Sequence, residues 1–288
     1  MQYETTQLAG ETQGVLLAPE RPNGLGVVVL HGSSGRVGVE RAALFARGGA
    51  FALAQKWFGG EGQAPAICEI PLETFGRAGA ELTARGCDRI AMAGTSRGAE
   101  AALLAASFGV GVDVEAVIAF SPSSLVWPCI YRSSAGDRWI QSASWTHHGE
   151  PLAFVPYDEA AFEATQKAPP VPWLALFETS LATAGDHAST ARIPIESFGG
   201  EVVLVAGEDD RVWPSARFAR ELARRLADSG RASRLVTHPK AGHRVLLPGE
   251  TTPRSEVNLH GGTDEADMAL GRQAWAAICE TLGLAQIL

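Results

Sequence analysis

Short apolar runs alternate along the chain with longer segments in which apolar positions recur every three or four residues. Short runs are typical of buried strands, and the wider spacing is typical of helices with one buried face. The predicted strands cover residues 27–30, 51–54, 90–93, 114–120, 202–206 and 234–237. This alternation predicts an α/β fold, with a mostly parallel central sheet and helices on both of its faces.

Start and stop signals place the predicted helices between these strands. The first helix starts near Glu40 and stops at Gly48-Gly49, because glycine often ends a helix. Pro71 opens the second helix, since proline suits the first helical turn. Further helices are predicted over residues 99–107, 214–227 and 264–282, and the residues before position 25 predict one or two edge strands.

The regular pattern stops between residues 121 and 200, a stretch that we call the insert. It is too long for a plain loop in a compact domain, so we expect it to have structure of its own. We predict a single domain over residues 1–288, in which the insert forms a lid over the carboxyl ends of the strands. Its aromatic side chains are expected to line an apolar pocket; they are Trp127, Trp139, Trp145, Phe154 and Trp173.

The composition argues against several classes of protein. Of the 288 residues, 46% are hydrophobic, which is enough for a sizeable core. The net charge of −8 argues against a nucleic-acid partner, which needs a concentrated basic face. The N-terminus lacks the pattern of a signal peptide, and no apolar run is long enough to cross a bilayer. We therefore expect a cytoplasmic protein with no nucleic-acid or membrane partner.

Cysteine and histidine spacing predicts no metal site and no cofactor is implied. The cysteines are far apart and are expected to be ordinary reduced thiols; they are Cys68, Cys87, Cys129 and Cys279. The adjacent pair His147-His148 is expected to point its two rings in opposite directions, which disfavours a shared ion.

The pentapeptide Gly94-Thr95-Ser96-Arg97-Gly98 matches the Gly-x-Ser-x-Gly nucleophile elbow. An apolar strand precedes it and an alanine-rich helix follows it, which is the setting that this turn requires. The serine must project above the sheet from a sharp turn, and the glycines are needed where neighbouring backbone comes close. The sequence therefore predicts Ser96 as a nucleophile, although a chance match in a glycine-rich chain is the alternative.

A serine hydroxyl needs a general base and an acid that orients the base. In the elbow fold these follow the serine in the order acid, then histidine, each after a later strand. His243 is the predicted base. Asp210 is the predicted acid, because the acid usually lies three residues after the glycine that ends its strand, and Asp209 stays as the alternative. The other histidines are more typical of structural or exposed positions; they are His31, His147, His148, His187, His238 and His260.

An oxyanion hole needs two backbone N–H groups aimed at the developing negative charge. One is expected from Arg97, the residue after the nucleophile. The other is expected from the small-residue loop after the strand that ends at Leu30, with Ser33 as first choice and Ser34 close behind. A plain turn between strand and helix is equally compatible with that loop.

Together these motifs resemble the C-terminal catalytic domain of acyl-CoA thioesterases and bile acid-CoA:amino acid N-acyltransferases, within the α/β-hydrolase superfamily. The likeness covers most of the chain after residue 24. The more specific fragments are Glu40-Arg41-Ala42, Pro71-Leu72-Glu73-Thr74-Phe75 and Gly207-Glu208-Asp209-Asp210 with Trp213. Further fragments are Gly32-Ser33-Ser34-Gly35, Ile193-Pro194-Ile195-Glu196, Ala241-Gly242-His243 and Gly261-Gly262-Thr263 before Ala274-Trp275.

The resemblance implies a hydrolase that cleaves acyl thioesters such as acyl-CoA, or carboxylic esters, through an acyl-serine intermediate. Arg97 stands where the family usually has lysine, and Ser96 stands where the N-acyltransferases have cysteine. The serine favours hydrolysis, since an acyl-serine usually reacts with water. An acyltransferase and a non-catalytic binding protein on the same fold are the two alternatives. The expected partner is a small acyl thioester or ester substrate.

Overall fold

The computed structural model describes residues 2–136, 138–165 and 169–285. Its strands are β1 (Tyr3–Leu8), β2 (Gln13–Pro19), β3 (Leu25–Leu30), β4 (Phe51–Lys56), β5 (Ile70–Pro71), β6 (Arg89–Thr95), β7 (Ala116–Phe120), β8 (Cys129–Arg132), β9 (Trp139–Ser142), β10 (Trp145–His147), β11 (Glu150–Pro151), β12 (Glu201–Gly207) and β13 (Arg234–His238). Its helices are α1 (Val39–Arg47), α2 (Glu73–Thr83), α3 (Arg97–Phe108), α4 (Glu159–Thr165), α5 (Leu174–Thr183), α6 (His187–Thr190), α7 (Ser215–Asp228) and α8 (Asp264–Leu282), with a 3₁₀ turn at Ile195–Ser197.

Eight strands form the main sheet, in the order β1-β2-β4-β3-β6-β7-β12-β13. The pairs β1–β2 and β2–β4 are antiparallel, and the remaining neighbours are parallel. The direction in which the chain adds strands reverses between β3 and β6. β4 pairs with one edge of β3, and β6 then pairs with the opposite edge of β3. In open α/β sheets, the crevice beside the carboxyl ends at such a reversal is the usual ligand site.

Helices cover both faces of this sheet, and each face has its own core. On one face α2, α3 and α7 pack against alternate strand positions such as Val28 and Leu30. On the other face α1 and α8 pack against the intervening positions, such as Val27 and Val29. All six residues of β3 are buried, as expected for a strand covered on both sides. The predicted α/β fold, mostly parallel with helices on both faces, is confirmed.

The start of α2 differs from the sequence prediction. The helix begins at Glu73, whereas Pro71 lies in the short strand β5, which pairs in parallel with β10 of the insert. The N–H of Leu72 also donates to the carbonyl of Thr146 at 2.9 Å. Pairing with a distant segment therefore takes these residues out of the helix, and a local helix signal could not show this.

The insert contains regular structure of its own. It includes the ribbon β8–β9, the hairpin β10–β11 and helices α4 to α6. The hairpin joins β5 to make a three-stranded sheet, which attaches the insert to the segment before α2. No helix in the described part of the chain is both long and apolar enough to cross a membrane.

The cysteine prediction is wrong for one pair. Cys68 and Cys129 form a disulfide, with their Cα atoms 5.1 Å apart, which joins the loop before β5 to the start of β8. The two residues are 61 positions apart, so their spacing gave no indication of the bond. Cys87 and Cys279 are buried free thiols, and burial raises the pKa of each to about 11.

Candidate active site

Ser96 occupies a sharp turn between β6 and α3. Its φ of 57° and ψ of −120° are strained for a residue that carries a side chain. The turn is tight because Gly94 and Gly98 lie against neighbouring backbone. A Cβ on Gly94 would collide with the carbonyl of Gly98, and a Cβ on Gly98 would collide with the carbonyls of Leu30 and His31. Only glycine fits at these two positions, so the pentapeptide forms the elbow that its sequence predicted.

Backbone contacts bring two other loops to Ser96. The N–H of Ser96 donates to the carbonyl of Phe120 at 2.9 Å. Ser121, which follows Phe120, donates its hydroxyl to the carbonyl of His243 at 2.9 Å. On the opposite side, a Cβ built on Gly32 would lie 3.2 Å from Cβ of Ser96. The loops that follow β3, β7 and β13 therefore surround the serine at the carboxyl edge of the sheet.

Asp210 and His243 form a buried pair in which Oδ2 lies 2.7 Å from Nδ1. A carboxylate only accepts hydrogen bonds, so Nδ1 carries the proton of the neutral ring and Nε2 is left as an acceptor. The carboxylate is held from several sides. Oδ1 accepts from the N–H groups of Val212 and Trp213 at 2.8 and 3.2 Å, and Oδ2 accepts from the hydroxyl of Ser215 at 2.6 Å.

Asp209 has different partners. Its Oδ1 accepts from Nε of Arg211 at 2.8 Å, and its Oδ2 accepts from the N–H of Gly262 at 3.0 Å. It therefore ties the loop after β12 to the loop before α8. Of the two neighbouring carboxylates, the structure brings Asp210 to His243 and directs Asp209 to a turn contact.

The two predicted oxyanion donors each adjoin either Ser96 or a residue whose backbone approaches it: Arg97 follows Ser96, and Ser33 follows Gly32. Arg97 is the first residue of α3, so its N–H belongs to the free amide end of a helix, where negative charge is stabilised. Ser33 follows Gly32, the residue whose backbone approaches Ser96, and it lies in an exposed turn. The hydroxyl of Ser34 is 3.0 Å from Nδ1 of His31. Burial, and then the charges of Arg36 and Arg41, lower the pKa of His31 to about 4.

Sequence reasoning missed a buried polar cluster that joins the elbow to the insert. Nη1 of Arg97 pairs with Oε2 of Glu100 at 2.6 Å, and Nη2 donates to the carbonyl of Trp127 at 3.0 Å and to the hydroxyl of Ser144. Oε1 of Glu100 accepts from the N–H of Trp127 at 3.1 Å and from Nε1 of Trp145 at 2.7 Å. Burial raises the pKa of Glu100, while the Arg97 guanidinium opposes that rise. The only sequence signal was the charged pair at i and i+3 in an apolar helix.

His260 is a second residue that the sequence did not place here. Its ring centroid lies 5.5 Å from that of His243, and its carbonyl accepts from the N–H of His243 at 2.9 Å. Burial, and then the charge of His243, lower the pKa of His260 to about 4. The ring is therefore neutral at pH 7. Nothing in the local sequence pattern of this loop distinguishes it from an exposed loop.

The rings of His147 and His148 do not point apart, so that prediction is wrong. Both Nδ1 atoms approach Oε1 of Glu73, at 3.1 and 3.5 Å, and the two ring centroids are 4.0 Å apart. Opposite orientation holds for successive residues within a strand. His148 lies beyond the strand, in the hairpin turn between β10 and β11, where it has a φ of 51° and the following Gly149 has a φ of 81°. The turn brings the second ring back toward the first.

The aromatic residues of the insert fall into two groups. Trp127 and Trp145 are fully buried in the core, so the prediction that they line a pocket is wrong for them. Trp139, Phe154 and Trp173 are only partly buried.

Trp173 lies beside the loops that carry the site. Its Nε1 donates to Oδ1 of Asn258 at 2.8 Å, two residues before His260. The next residue, Leu174, donates its N–H to the carbonyl of Arg211 at 3.0 Å. The start of α5 therefore packs against the loop that holds Asp210.

Comparison with known proteins gives a consistent picture. The model of the family described as BAAT / Acyl-CoA thioester hydrolase C terminal matches residues 83–278. The chain is 23% identical to acyl-coenzyme A thioesterase 6 of Homo sapiens over 282 residues, which cover 94% of this chain and 62% of that protein. It is 24% identical to acyl-coenzyme A thioesterase 1 of Homo sapiens, with 88% of this chain and 56% of that protein covered. The chain thus spans about three-fifths of the length of these curated relatives.

Among solved structures, a dienelactone hydrolase from Anabaena variabilis superposes with a TM-score of 0.53. The superposition covers 99% of this chain and 100% of that chain, at 15% sequence identity. At this identity the likeness shows a shared α/β-hydrolase fold, and conclusions about chemistry depend on the site itself.

Proposed function

The chain belongs to the BAAT / acyl-CoA thioester hydrolase C-terminal family, and we propose on that premise that it is a serine hydrolase of acyl thioesters or carboxylic esters. The observation that carries the proposal is the 2.7 Å contact between buried Asp210 and His243, in a loop bound to the residues beside the strained Ser96 turn. A nucleophile, a base and an orienting acid in this arrangement are what acyl transfer to serine requires.

In the first half-reaction, Oγ of Ser96 attacks the acyl carbonyl carbon while Nε2 of His243 takes the hydroxyl proton. Asp210 holds the ring in the required tautomer and stabilises the imidazolium that forms. The backbone N–H groups of Arg97 and Ser33 stabilise the oxyanion. When the tetrahedral intermediate collapses, His243 returns the proton to the leaving thiolate or alkoxide, and the acyl group stays on Ser96.

In the second half-reaction, water replaces the leaving group. His243 takes a proton from the water as it attacks the acyl-serine carbonyl, and returns that proton to Oγ of Ser96 as the carboxylic acid leaves. His260 stays neutral beside His243 at pH 7, so it adds no positive charge that would oppose formation of the imidazolium. The base is therefore free to act in both half-reactions.

An acyl thioester is the preferred substrate class, because the curated relatives are acyl-CoA thioesterases. An oxygen ester is the close alternative, since the same nucleophile, base and oxyanion donors serve both carbonyls. The partly buried ring of Trp173, beside the loop of Asp210, is the part of the insert best placed to contact an acyl chain. The insert then acts as a lid over the carboxyl ends of the strands.

A turnover panel tests this proposal directly. CoA thioesters and p-nitrophenyl esters of matched acyl length are compared for kcat/KM, with Ser96→Ala as the test variant and exposed Ser189→Ala as the matched control. We expect Ser96→Ala to lose about 10⁶-fold in kcat and all labelling by a fluorophosphonate probe, whereas Ser189→Ala keeps both.

Two results would contradict the proposal. Labelling that persists in folded Ser96→Ala would remove the serine from its role. Formation of an amide or ester as the main product, when an amine or alcohol acceptor is added, would show an acyltransferase instead.

A further inference from the structure

Three side chains from two separate parts of the chain meet away from Ser96. Glu73 is the first residue of α2, His147 is the last residue of β10, and His148 follows in the hairpin turn. Nδ1 of His147 and Nδ1 of His148 lie 3.1 and 3.5 Å from Oε1 of Glu73. One carboxylate and two imidazoles, with one ligand atom from each within 4.8 Å of the others, form the set.

The contacts within this set are not ordinary hydrogen bonds. Nδ1 of His147 is buried and, among the described residues, makes no hydrogen bond, although Oε1 of Glu73 is only 3.1 Å away. An unpaired buried nitrogen is costly unless something else satisfies it. The three atoms are close to one another without being aimed at one another, which is the arrangement of ligands that share a central ion.

Two of the three ligand separations match zinc coordination, and the third, between the two imidazoles, is at most 4.8 Å. Zinc bonds to imidazole nitrogen and carboxylate oxygen are about 2.0–2.2 Å long, so tetrahedral ligand atoms are about 3.3–3.6 Å apart. The two separations of 3.1 and 3.5 Å lie close to that value. Imidazole nitrogen together with a carboxylate is a donor set suited to zinc.

The surroundings fix the ligands. The backbone N–H of His148 donates to Oε1 of Glu73 at 2.9 Å, which orients the carboxylate toward the two rings. The ring of His147 packs against Phe108, with ring centroids 5.0 Å apart. The side chain of His148 is 78% exposed, so a fourth ligand position is open to water.

We propose that Glu73, His147 and His148 bind one zinc ion, which clamps the hairpin of the insert to the start of α2. The clamp would act on β10, the strand whose Trp145 binds Glu100 in the cluster beside the elbow. The proposal does not depend on the proposed hydrolase function, because none of its three ligands belongs to the proposed catalytic set.

Zinc titration of the whole chain, after removal of metal with a chelator, tests the site. Isothermal titration calorimetry is expected to give one zinc per chain, and Co²⁺ is expected to give the visible absorption of a tetrahedral site. His148→Asn and Glu73→Gln should each weaken zinc binding by about 100-fold or more, since loss of even an outer partner costs 10–100-fold. Asparagine tolerates the left-handed backbone at position 148. His187→Asn, which removes an exposed histidine of the insert outside the cluster, is the matched control and should bind as the unchanged chain does.

Thermal unfolding supplies a second readout. Zinc should raise the Tm of the unchanged chain and of His187→Asn, and should leave the Tm of His148→Asn unchanged, because an ion stabilises only the state that binds it. Absence of stoichiometric zinc binding would overturn the proposal. Unchanged affinity in His148→Asn would also overturn it, and would point instead to ions held elsewhere, for example at His243 and His260. If Glu73→Gln does not fold, the exposed position 148 decides the matter alone.

Discussion

The elbow carries Ser96, and the insert contacts the next residue, Arg97. Different interactions hold these two regions in place. The elbow is held by backbone crowding, in which Gly94 and Gly98 leave no room for a side chain. Besides the sheet with β5 and the disulfide, the insert is held by a desolvated polar cluster, centred on the ion pair of Arg97 and Glu100. The first involves backbone alone, both within the elbow and in the adjoining end of β3, whereas the second joins side chains and backbone groups up to 47 positions apart.

This difference predicts that the elbow and the cluster respond differently to substitution. Steric crowding allows almost no substitution at the elbow, yet it acts without any charge. A buried ion pair contributes little net stability while intact, but removal of one partner leaves an uncompensated charge in the core. We therefore expect changes near the elbow to affect chemistry most strongly, and changes at the cluster to affect the free energy of unfolding.

After the loss of Ser96 itself, the largest effect is expected at the orienting acid. Asp210→Asn should lower kcat by about 10⁴-fold, because the amide no longer selects the tautomer of His243 that accepts the serine proton. Asp209→Asn is the matched control, since its carboxylate contacts Arg211 and Gly262 instead. Ester turnover by the purified variants measures both, and a larger loss in Asp209→Asn would reverse the assignment.

The next effect concerns the cluster between the elbow and the insert. Glu100→Gln should lower the free energy of unfolding by about 3–5 kcal/mol, because it leaves Arg97 charged and buried. Glu81→Gln removes the partner of Arg85 in a partly exposed pair at the C-terminal end of α2, and should cost less than about 1 kcal/mol. Urea unfolding measures the two variants side by side. Equal costs would show that the buried pair does not hold the insert as described.

A smaller, pH-dependent effect is expected from His260, which lies in the loop after β13. Since the pKa of His260 is lowered to about 4, the unfolded chain binds a proton between the ordinary value of 6.5 and 4 that the folded chain does not. The free energy of unfolding therefore falls as the pH falls through this window. Each pKa unit corresponds to about 1.4 kcal/mol, and partial exposure reduces the total to ~2 kcal/mol.

His260→Asn removes this titration, so its unfolding free energy should fall less between about pH 7 and about pH 4 than that of the unchanged chain. Exposed His187→Asn serves as the control. An equally steep fall in His260→Asn would show that this ring is not the group responsible.

The smallest effect is a change in acyl-length preference, which should differ between two partly buried tryptophans of the insert. Trp173→Ala should shift the preferred acyl length, because each buried methylene contributes at most about 0.8 kcal/mol, or roughly fourfold in kcat/KM. Trp139→Ala is the control. The Trp139 ring packs against Phe162 of α4 and against the guanidinium of Arg132, which lies on the same β8–β9 ribbon. A series of p-nitrophenyl esters measures both. If Trp173→Ala keeps the acyl-length preference of the unchanged chain and only its stability is altered, Trp173 does not line the acyl pocket.

The sequence determined the fold class, the approximate positions of the main-sheet strands and the helices that cover them, and the elbow. Apolar periodicity showed the alternation of strands and helices, and the predicted helix over 264–282 matches α8 at both ends. The glycines around Ser96 indicated a turn that the backbone angles confirm. Each of these features is marked by residues close together in the chain, so a local pattern is enough to predict it, even though Gly98 is also required by the distant backbone of Leu30 and His31.

The tertiary structure alone decided which distant side chains meet. It placed His260 beside His243, joined Cys68 to Cys129, and brought Glu73 to the histidine pair of the insert. It also moved Pro71 out of α2 and buried Trp127 and Trp145 in the core. Such contacts depend on how loops and the insert pack against the finished sheet. The residues in these contacts are 17 to 75 positions apart and share no periodicity, and therefore the sequence pattern cannot reveal the contacts.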